Sequence, residues 1–168
     1  MSFEAADTLD MASSEAKRAS YDLLLQQTRA LFDGERDRLA NLAQFSALIY
    51  NALPDLNWAG FYMARGTGLV LGPFQGKVAC VRIPFGRSVC GTCAETRQPQ
   101  IVPDVHAFPG HIACDSASNS ELVLPVLKDG ELLAVLDLDS PRLARFDEDD
   151  AAGLSRMLHV LVTGTDWA

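Results

Sequence analysis

The amino-acid sequence predicts an α+β fold in one domain, a mostly antiparallel sheet with helices packed together on one face. Three observations carry this: two helical stretches lead the chain, short segments of period two fill its middle, and a third helical stretch closes it. The length of 168 residues suits one domain, and an apolar share of 48% is enough to bury a core.

Residues 1–14 are small and polar and read as a flexible N-terminal tail, leaving 15–168 as the domain. Over about 15–32, Tyr21, Leu24, Leu25, Thr28, Leu31 and Phe32 recur at helical spacing, and Asp33-Gly34 ends the run. A second helix is expected over about 35–51, with Leu39, Leu42, Phe45 and Ile49 on its apolar side. The period then becomes two. In "NWAGFYM" (57–63), Trp58, Gly60 and Tyr62 share one strand face, while Ala59, Phe61 and Met63 share the other. "LVLGPFQG" (69–76) is the next strand. "ACVRIPFG" (79–86) is a third, made short or edge-bound by Pro84. Ser88 is placed to cap a short helix over about 89–97, and "QIVPDV" (100–105) is brief and extended. The stretch 106–119 has no period, and loops of that length are functional or disordered. "ELVLPVL" (121–127) and "ELLAVLDLD" (131–139) form a hairpin through "KDG". Asp147 caps a last helix over about 147–162, where three further acids suit the helix dipole and Leu154, Met157, Leu158 and Leu161 form the apolar stripe.

The formal charge is 14 basic minus 22 acidic residues, or −8, which argues against a nucleic-acid or anionic-membrane surface. No run of 18 uncharged apolar residues predicts a membrane span. The N-terminus lacks a basic stretch followed by an apolar one, so a cytoplasmic protein is expected. All four cysteines, 80, 90, 93 and 114, fall within 35 residues. In a reducing compartment such clustering points to metal binding or redox chemistry rather than a disulfide scaffold.

Asp137 and Asp139 are two apart on a strand, so both point to the side of Val135, while Leu136 and Leu138 point into the core. If the register allows, Glu121 joins them and three carboxylates line one sheet face. The plain alternative is the wet face of an antiparallel sheet. Trp58 and Tyr62 either share that face, giving a pocket with apolar walls and acidic tips, or are core side chains. Crowded, desolvated carboxyls of this kind would serve as proton donors near neutrality.

"CGTC" at 90–93 admits three readings: a dithiol, part of a four-cysteine zinc site, or one active cysteine beside an incidental one. The βαβ surroundings of a thioredoxin-like dithiol are absent, and a single C-x-x-C is not the paired knuckle of a zinc ribbon. Cys114 sits in a polar loop, "GHIACDSASNSE", that runs into Glu121. His111, three residues earlier, is either a cationic neighbour that would favour the thiolate or a hydrogen-bonding surface group. His106 and His159 look structural or solvent-facing.

Together, "RIPFGRSVCGT" (82–92), "DVHAFPGHIACDSASNSELVLPV" (104–126) and "LLAVLDLDSPRLARFDEDD" (132–150) resemble the free methionine-(R)-sulfoxide reductase family of stand-alone GAF-domain proteins. The resemblance implies a GAF-like sheet of about six antiparallel strands, with N-terminal and C-terminal helices on one face and the ligand pocket on the other. It implies reduction of free L-methionine-(R)-sulfoxide with no cofactor and no metal. It implies three redox cysteines, matched by Cys80, Cys90 and Cys114. Cys93 departs from the family pattern and is treated as incidental, which leaves a Cys90–Cys93 or mixed disulfide open.

On this reading Cys114 attacks the sulfoxide sulfur, and a protonated Glu121, Asp137 or Asp139 supplies the proton that the departing oxygen needs. The same acids would bind the substrate ammonium. Trp58 and Tyr62 would pack its methyl end, and N–H groups of the 110–120 loop, Ile112 and Ala113 among them, would hold its carboxylate. A sulfenic acid on Cys114 then condenses to a Cys80–Cys114 or Cys90–Cys114 disulfide, which thioredoxin or a similar dithiol reduces. Cys80 is the first choice as resolving thiol, and Cys90 is also the rival nucleophile. The family further implies a homodimer. The alternatives are a GAF module that binds a small ligand without chemistry, and a zinc-binding structural module.

Overall fold

The computed structural model describes residues 9–111 and 115–168. Helices α1 (Ser14–Leu31) and α2 (Arg38–Ala52) lead into strands β1 (Trp58–Arg65), β2 (Gly68–Gly76) and β3 (Arg82–Pro84). Helix α3 (Ser88–Thr96), strand β4 (Gln100–Val102) and a single 3₁₀ turn at Val105–Ala107 follow. The hairpin β5 (Ser120–Lys128) and β6 (Glu131–Ser140) precedes the closing helix α4 (Glu148–Thr163). The six strands form one antiparallel sheet in the order β3-β2-β1-β6-β5-β4.

Strand alternation divides the core in two. Ala59, Phe61, Leu122, Leu124, Leu136 and Leu138 face α1, α2 and α4 and pack on Tyr21, Leu24, Phe45 and Leu154. Trp58, Tyr62, Val123 and Val135 face the other way, toward Val89, Cys90, Cys93 and Ala94 of α3. So α1, α2 and α4 cover one face, as expected, while α3 lies across the opposite face and walls the site.

Several boundaries differ from the sequence reading, each for a local reason. Helix α2 begins three residues later than expected because Asp37 is its cap, its side chain accepting from the Ala40 N–H at 2.8 Å. Ser88 does not cap α3. It is the first helical residue, with φ 56°, and the cap position falls on Arg87. Strand β3 shrinks to three residues because 77–81 leaves the sheet to pass over the site. Trp58 Nε1–H donates to the Lys77 carbonyl at 3.1 Å, and the Tyr62 hydroxyl donates to that of Cys80 at 3.0 Å. Of the segment read as a tail, Leu9 and Met11 pack on the core, the Leu9 N–H reaches the Ala52 carbonyl at 2.9 Å, and Ser13 caps α1. Residues 1–8 lie outside the described residues.

Asp147 caps α4 as expected, in a reciprocal capping box with Asp150. Asp150 is fully buried and does more. Its carboxylate meets Lys17 Nζ at 2.6 Å, the Tyr21 hydroxyl at 2.7 Å and Arg145 Nη1 at 3.5 Å, and it accepts the Asp147 N–H at 2.9 Å. These contacts join α1 and α4 to the segment entering α4, behind the sheet face that carries the site.

Candidate active site

Register brings the acids together. Glu121 on β5 pairs with Asp139 on β6, and Asp137 pairs with Val123 on β5 and Gly60 on β1. Trp58 pairs with Asp139, and Tyr62 with Val135. All three carboxylates and both aromatics therefore share one face, in the arrangement of a pocket rather than a wet sheet face. Gly60 makes this possible: a Cβ there would collide with Phe74. With no side chain between them, Trp58 and Tyr62 stack at 5.7 Å, and Trp58 stacks on Phe74 at 5.1 Å.

The cavity on this face is lined by Glu121, Asp137 and Asp139 at one end and by Trp58, Tyr62 and Ile83 along its walls. Ser88 and Cys90 of α3, Val78 and Ala79 of the crossing segment, and His111, Asp115 and Ser118 complete it. It holds about 50 Å³, room for a few water molecules. Asn57, just ahead of β1, ties down the far loop, its Nδ2 donating to Asp115 Oδ2 at 3.1 Å and to Ser118 Oγ at 3.0 Å.

Residues 22–161 match the GAF domain family. The free methionine-R-sulfoxide reductase of Escherichia coli is 52% identical over 142 residues, 84% of this chain and 86% of that protein. That of Saccharomyces cerevisiae is 42% identical over 167 residues, 95% of this chain and 93% of that protein. The X-ray structure of free methionine-R-sulfoxide reductase from Neisseria meningitidis in complex with its substrate is 41% identical, with a TM-score of 0.87 over 96% of this chain and 95% of that one. This chain belongs to the free methionine-R-sulfoxide reductase family.

The GAF fold that membership entails is the six-stranded sheet and four helices described above. In this GAF domain Glu121 and Asp137 are each 6% exposed, and no ion pair among the described residues includes either of them or Asp139. Burial pushes the Glu121 and Asp139 carboxyls well above the usual range, and the neighbouring Asp137 charge pushes them further. Burial also raises Asp137, opposed by hydrogen bonds from Glu121 and Cys90. The three therefore titrate as a set that shares protons.

Cys90, the third residue of α3, points its thiol at Glu121 Oε1, 3.8 Å away. Burial raises its pKa well above the free-thiol value, and Asp137, Glu121 and Asp139 raise it further. A place near the α3 N-terminus would favour the thiolate, but burial and the three acids outweigh the partial charge of a helix end. Cys93 is completely buried and its thiol is pushed up to about 12 by burial and Asp137. Both are free thiols, whereas Cys80 is disulfide-bonded.

His111 lines the cavity, but burial and the nearby His106 ring hold its pKa below the ordinary imidazole value. It is a neutral ring at neutral pH, not the cationic neighbour weighed from the sequence. His106 and His159 are exposed, as expected. Ile112, Ala113 and Cys114 lie outside the described residues. Sequence reasoning missed Asn57, Ser88, Asp115 and Ser118. Asp115 was legible as a turn former: its Oδ1 accepts the Ala117 N–H at 2.9 Å, the local Asx turn that Asp-x-x favours.

The raised carboxyls make a stability prediction. A group whose folded pKa lies above its unfolded value stabilises the fold fully below the unfolded pKa and loses that contribution as pH rises through the folded value. At neutral pH the trio therefore weakens the ligand-free protein. Glu121→Gln keeps the shape and a hydrogen-bonding side chain while removing the charge. Its melting temperature is expected to exceed that of the parent by a few degrees at about pH 8, with the gain vanishing toward about pH 4. Thermal unfolding across that range measures it, and a gain independent of pH would contradict an origin in the buried carboxylate charge.

Proposed function

We propose that this protein reduces free L-methionine-(R)-sulfoxide to L-methionine. The observation that carries the reading is the carboxylate trio facing Trp58 and Tyr62, with Glu121 and Asp137 buried, Asp139 half-buried and none of them in an ion pair among the described residues, in a chain of this family. An ammonium is the counter-charge such a trio lacks, and a free amino acid supplies one where a peptide-bound residue does not. The two aromatic faces suit the S-methyl end.

The chemistry proceeds through Cys114. Its thiolate bonds to the sulfoxide sulfur while a protonated carboxyl of the trio gives a proton to the sulfoxide oxygen. The hydroxyl oxygen then bonds to the Cys114 sulfur as the methionine S–O bond and the bond between the two sulfurs break, so methionine leaves reduced by two electrons and Cys114 is left as sulfenic acid. The Cys80 thiol attacks that sulfur, the hydroxyl leaves as water, and a Cys80–Cys114 disulfide forms. Thioredoxin or a similar dithiol returns both thiols by exchange. The raised Cys90 pKa and its contact with Glu121 favour Cys80 over Cys90 as the resolving thiol. No described helix is long and apolar enough to cross a membrane, and the reading includes a cytoplasmic homodimer.

The test is NADPH consumption coupled through thioredoxin and its reductase, comparing the free R epimer, the free S epimer and a peptide-bound sulfoxide. The free R epimer is expected to turn over, with the peptide-bound sulfoxide disfavoured by at least about a thousandfold. Equal rates on the two epimers, or turnover confined to the peptide, would overturn the assignment.

A further inference from the structure

The acid end of the cavity gathers oxygen and sulfur donors with no cationic side chain paired to them among the described residues. Asp137 is 6% exposed, yet its Oδ1 has no hydrogen-bond partner, and the residue lines the cavity. One carboxylate oxygen of Asp137, one of Glu121 and Cys90 Sγ all lie within 4.8 Å of one another. Three donors from three elements, α3, β5 and β6, thus converge on one point, and one residue among them holds an orphaned oxygen. Burying such groups without a counter-charge is costly.

We propose that the substrate-free pocket binds one zinc(II) ion through Cys90 Sγ, Glu121 and Asp137, and that this ion competes with the substrate for the site. The donor set selects the metal. A thiolate beside two carboxylates suits a borderline-soft ion, whereas magnesium and calcium take all-oxygen shells. Zinc bonds sulfur at about 2.3 Å and carboxylate oxygen at about 2.0–2.2 Å in a tetrahedron. That needs only a small contraction of the 3.8 Å between Cys90 Sγ and Glu121 Oε1. The fourth position faces the cavity and is left for water. A volume of about 50 Å³ accepts an ion and a few waters with the covering segments in place. The Cys90 thiol proton, and any carboxyl proton displaced, pass to solvent. No electron moves.

Competition follows from shared atoms, because Glu121 and Asp137 are the groups that the functional reading gives to the substrate ammonium. That part rests on the reductase reading, but the binding itself does not. Zinc chloride is titrated calorimetrically into the reduced full-length protein with no sulfoxide present. One zinc per chain is expected. Cys90→Ala and Asp137→Asn are each expected to weaken it by more than about tenfold, the least that losing even an indirect partner costs many metal sites. Cys93→Ala and His111→Ala are expected to leave it unchanged, as is added magnesium.

Cobalt(II) added to the unmodified protein gives a second measure that requires no variant to fold. A thiolate-to-cobalt absorption band is expected, and zinc should abolish it. With methionine release measured directly, zinc is expected to raise the apparent KM with kcat unchanged, and a chelator to reverse this. Absence of one-to-one binding, binding that survives both Cys90→Ala and Asp137→Asn, or an equal response to magnesium would overturn the site. Zinc binding with non-competitive inhibition would overturn the competition alone.

Discussion

Cys114→Ser is expected to lower single-turnover release of methionine by at least about a thousandfold, the scale on which loss of a covalent nucleophile is felt. A serine hydroxyl is far less ionised than a thiol near neutrality and less nucleophilic, and it cannot take up the sulfoxide oxygen as a stable, reversible oxidation state. The other cysteines offer a poor substitute. Burial and three carboxylates raise Cys90, and Cys93 is completely buried with its thiol at about 12. Cys80→Ser should separate the two halves of the cycle. It is expected to release about one methionine per chain at near-normal rate, then stall with a sulfenic acid that a sulfenate-specific reagent traps. Rapid-quench methionine analysis of the two variants measures both outcomes. Full single-turnover release from Cys114→Ser would move the nucleophile to Cys90, and repeated turnover by Cys80→Ser would remove Cys80 as the resolving thiol.

The parts of the site legible in the sequence are those that strand periodicity controls. Leu136 and Leu138 alternate with Asp137 and Asp139, so one face of β6 had to be greasy and the other acidic. Trp58 and Tyr62 obey the same alternation on β1. What periodicity does not give is which strands are neighbours. That β1 pairs with both β2 and β6, placing Trp58 opposite Asp139, is a fact of topology rather than pattern. The position of α3 was hidden for the same reason. Its apolar spacing says that it packs, not that it packs on the acid-bearing face, and the contact of Cys90 with Glu121 spans 31 residues. Asn57 was read only as the first residue of the strand stretch 57–63. Its role depends on Asp115 and Ser118, some 60 residues on. The family resemblance carried the number of strands, the pocket face and the site residues together, but not the strand order.

The same limit explains Asp150, whose replacement should have the largest effect on stability. The run Asp147 to Asp150 read as a cap followed by acids that suit a helix dipole, each worth well under about 1 kcal/mol when exposed. In the structure Asp150 is fully buried between Lys17 and Arg145, 7% and 5% exposed, and it accepts from Tyr21. Asp150→Ala removes the acceptor of the buried Tyr21 hydroxyl, the carboxylate that Arg145 meets, and the nearer of the two that Lys17 meets, leaving Lys17 with Asp147 at 3.0 Å. Breaking a buried pair in this way costs about 3–5 kcal/mol, or a fall in melting temperature of roughly 10 °C for a domain of this size. Asp150→Asn loses the charge and keeps one acceptor oxygen, for Tyr21 or for the Asp147 N–H but not for both, so its loss should be somewhat smaller. A loss as large as that of the alanine variant would assign the effect to the ion pairs rather than to the hydrogen bonds. The damage should also reach the site. The Arg145 N–H donates to Ser120 Oγ at 3.3 Å, and that hydroxyl donates to the Arg142 carbonyl at 2.5 Å, holding the start of β5 one residue before Glu121. Below its lowered melting temperature the alanine variant is therefore expected to show a raised KM with a smaller change in kcat, because the first atoms to shift are those that carry the acid end of the pocket. An unchanged KM in a folded Asp150→Ala protein would show that β5 is held in register by its sheet neighbours alone.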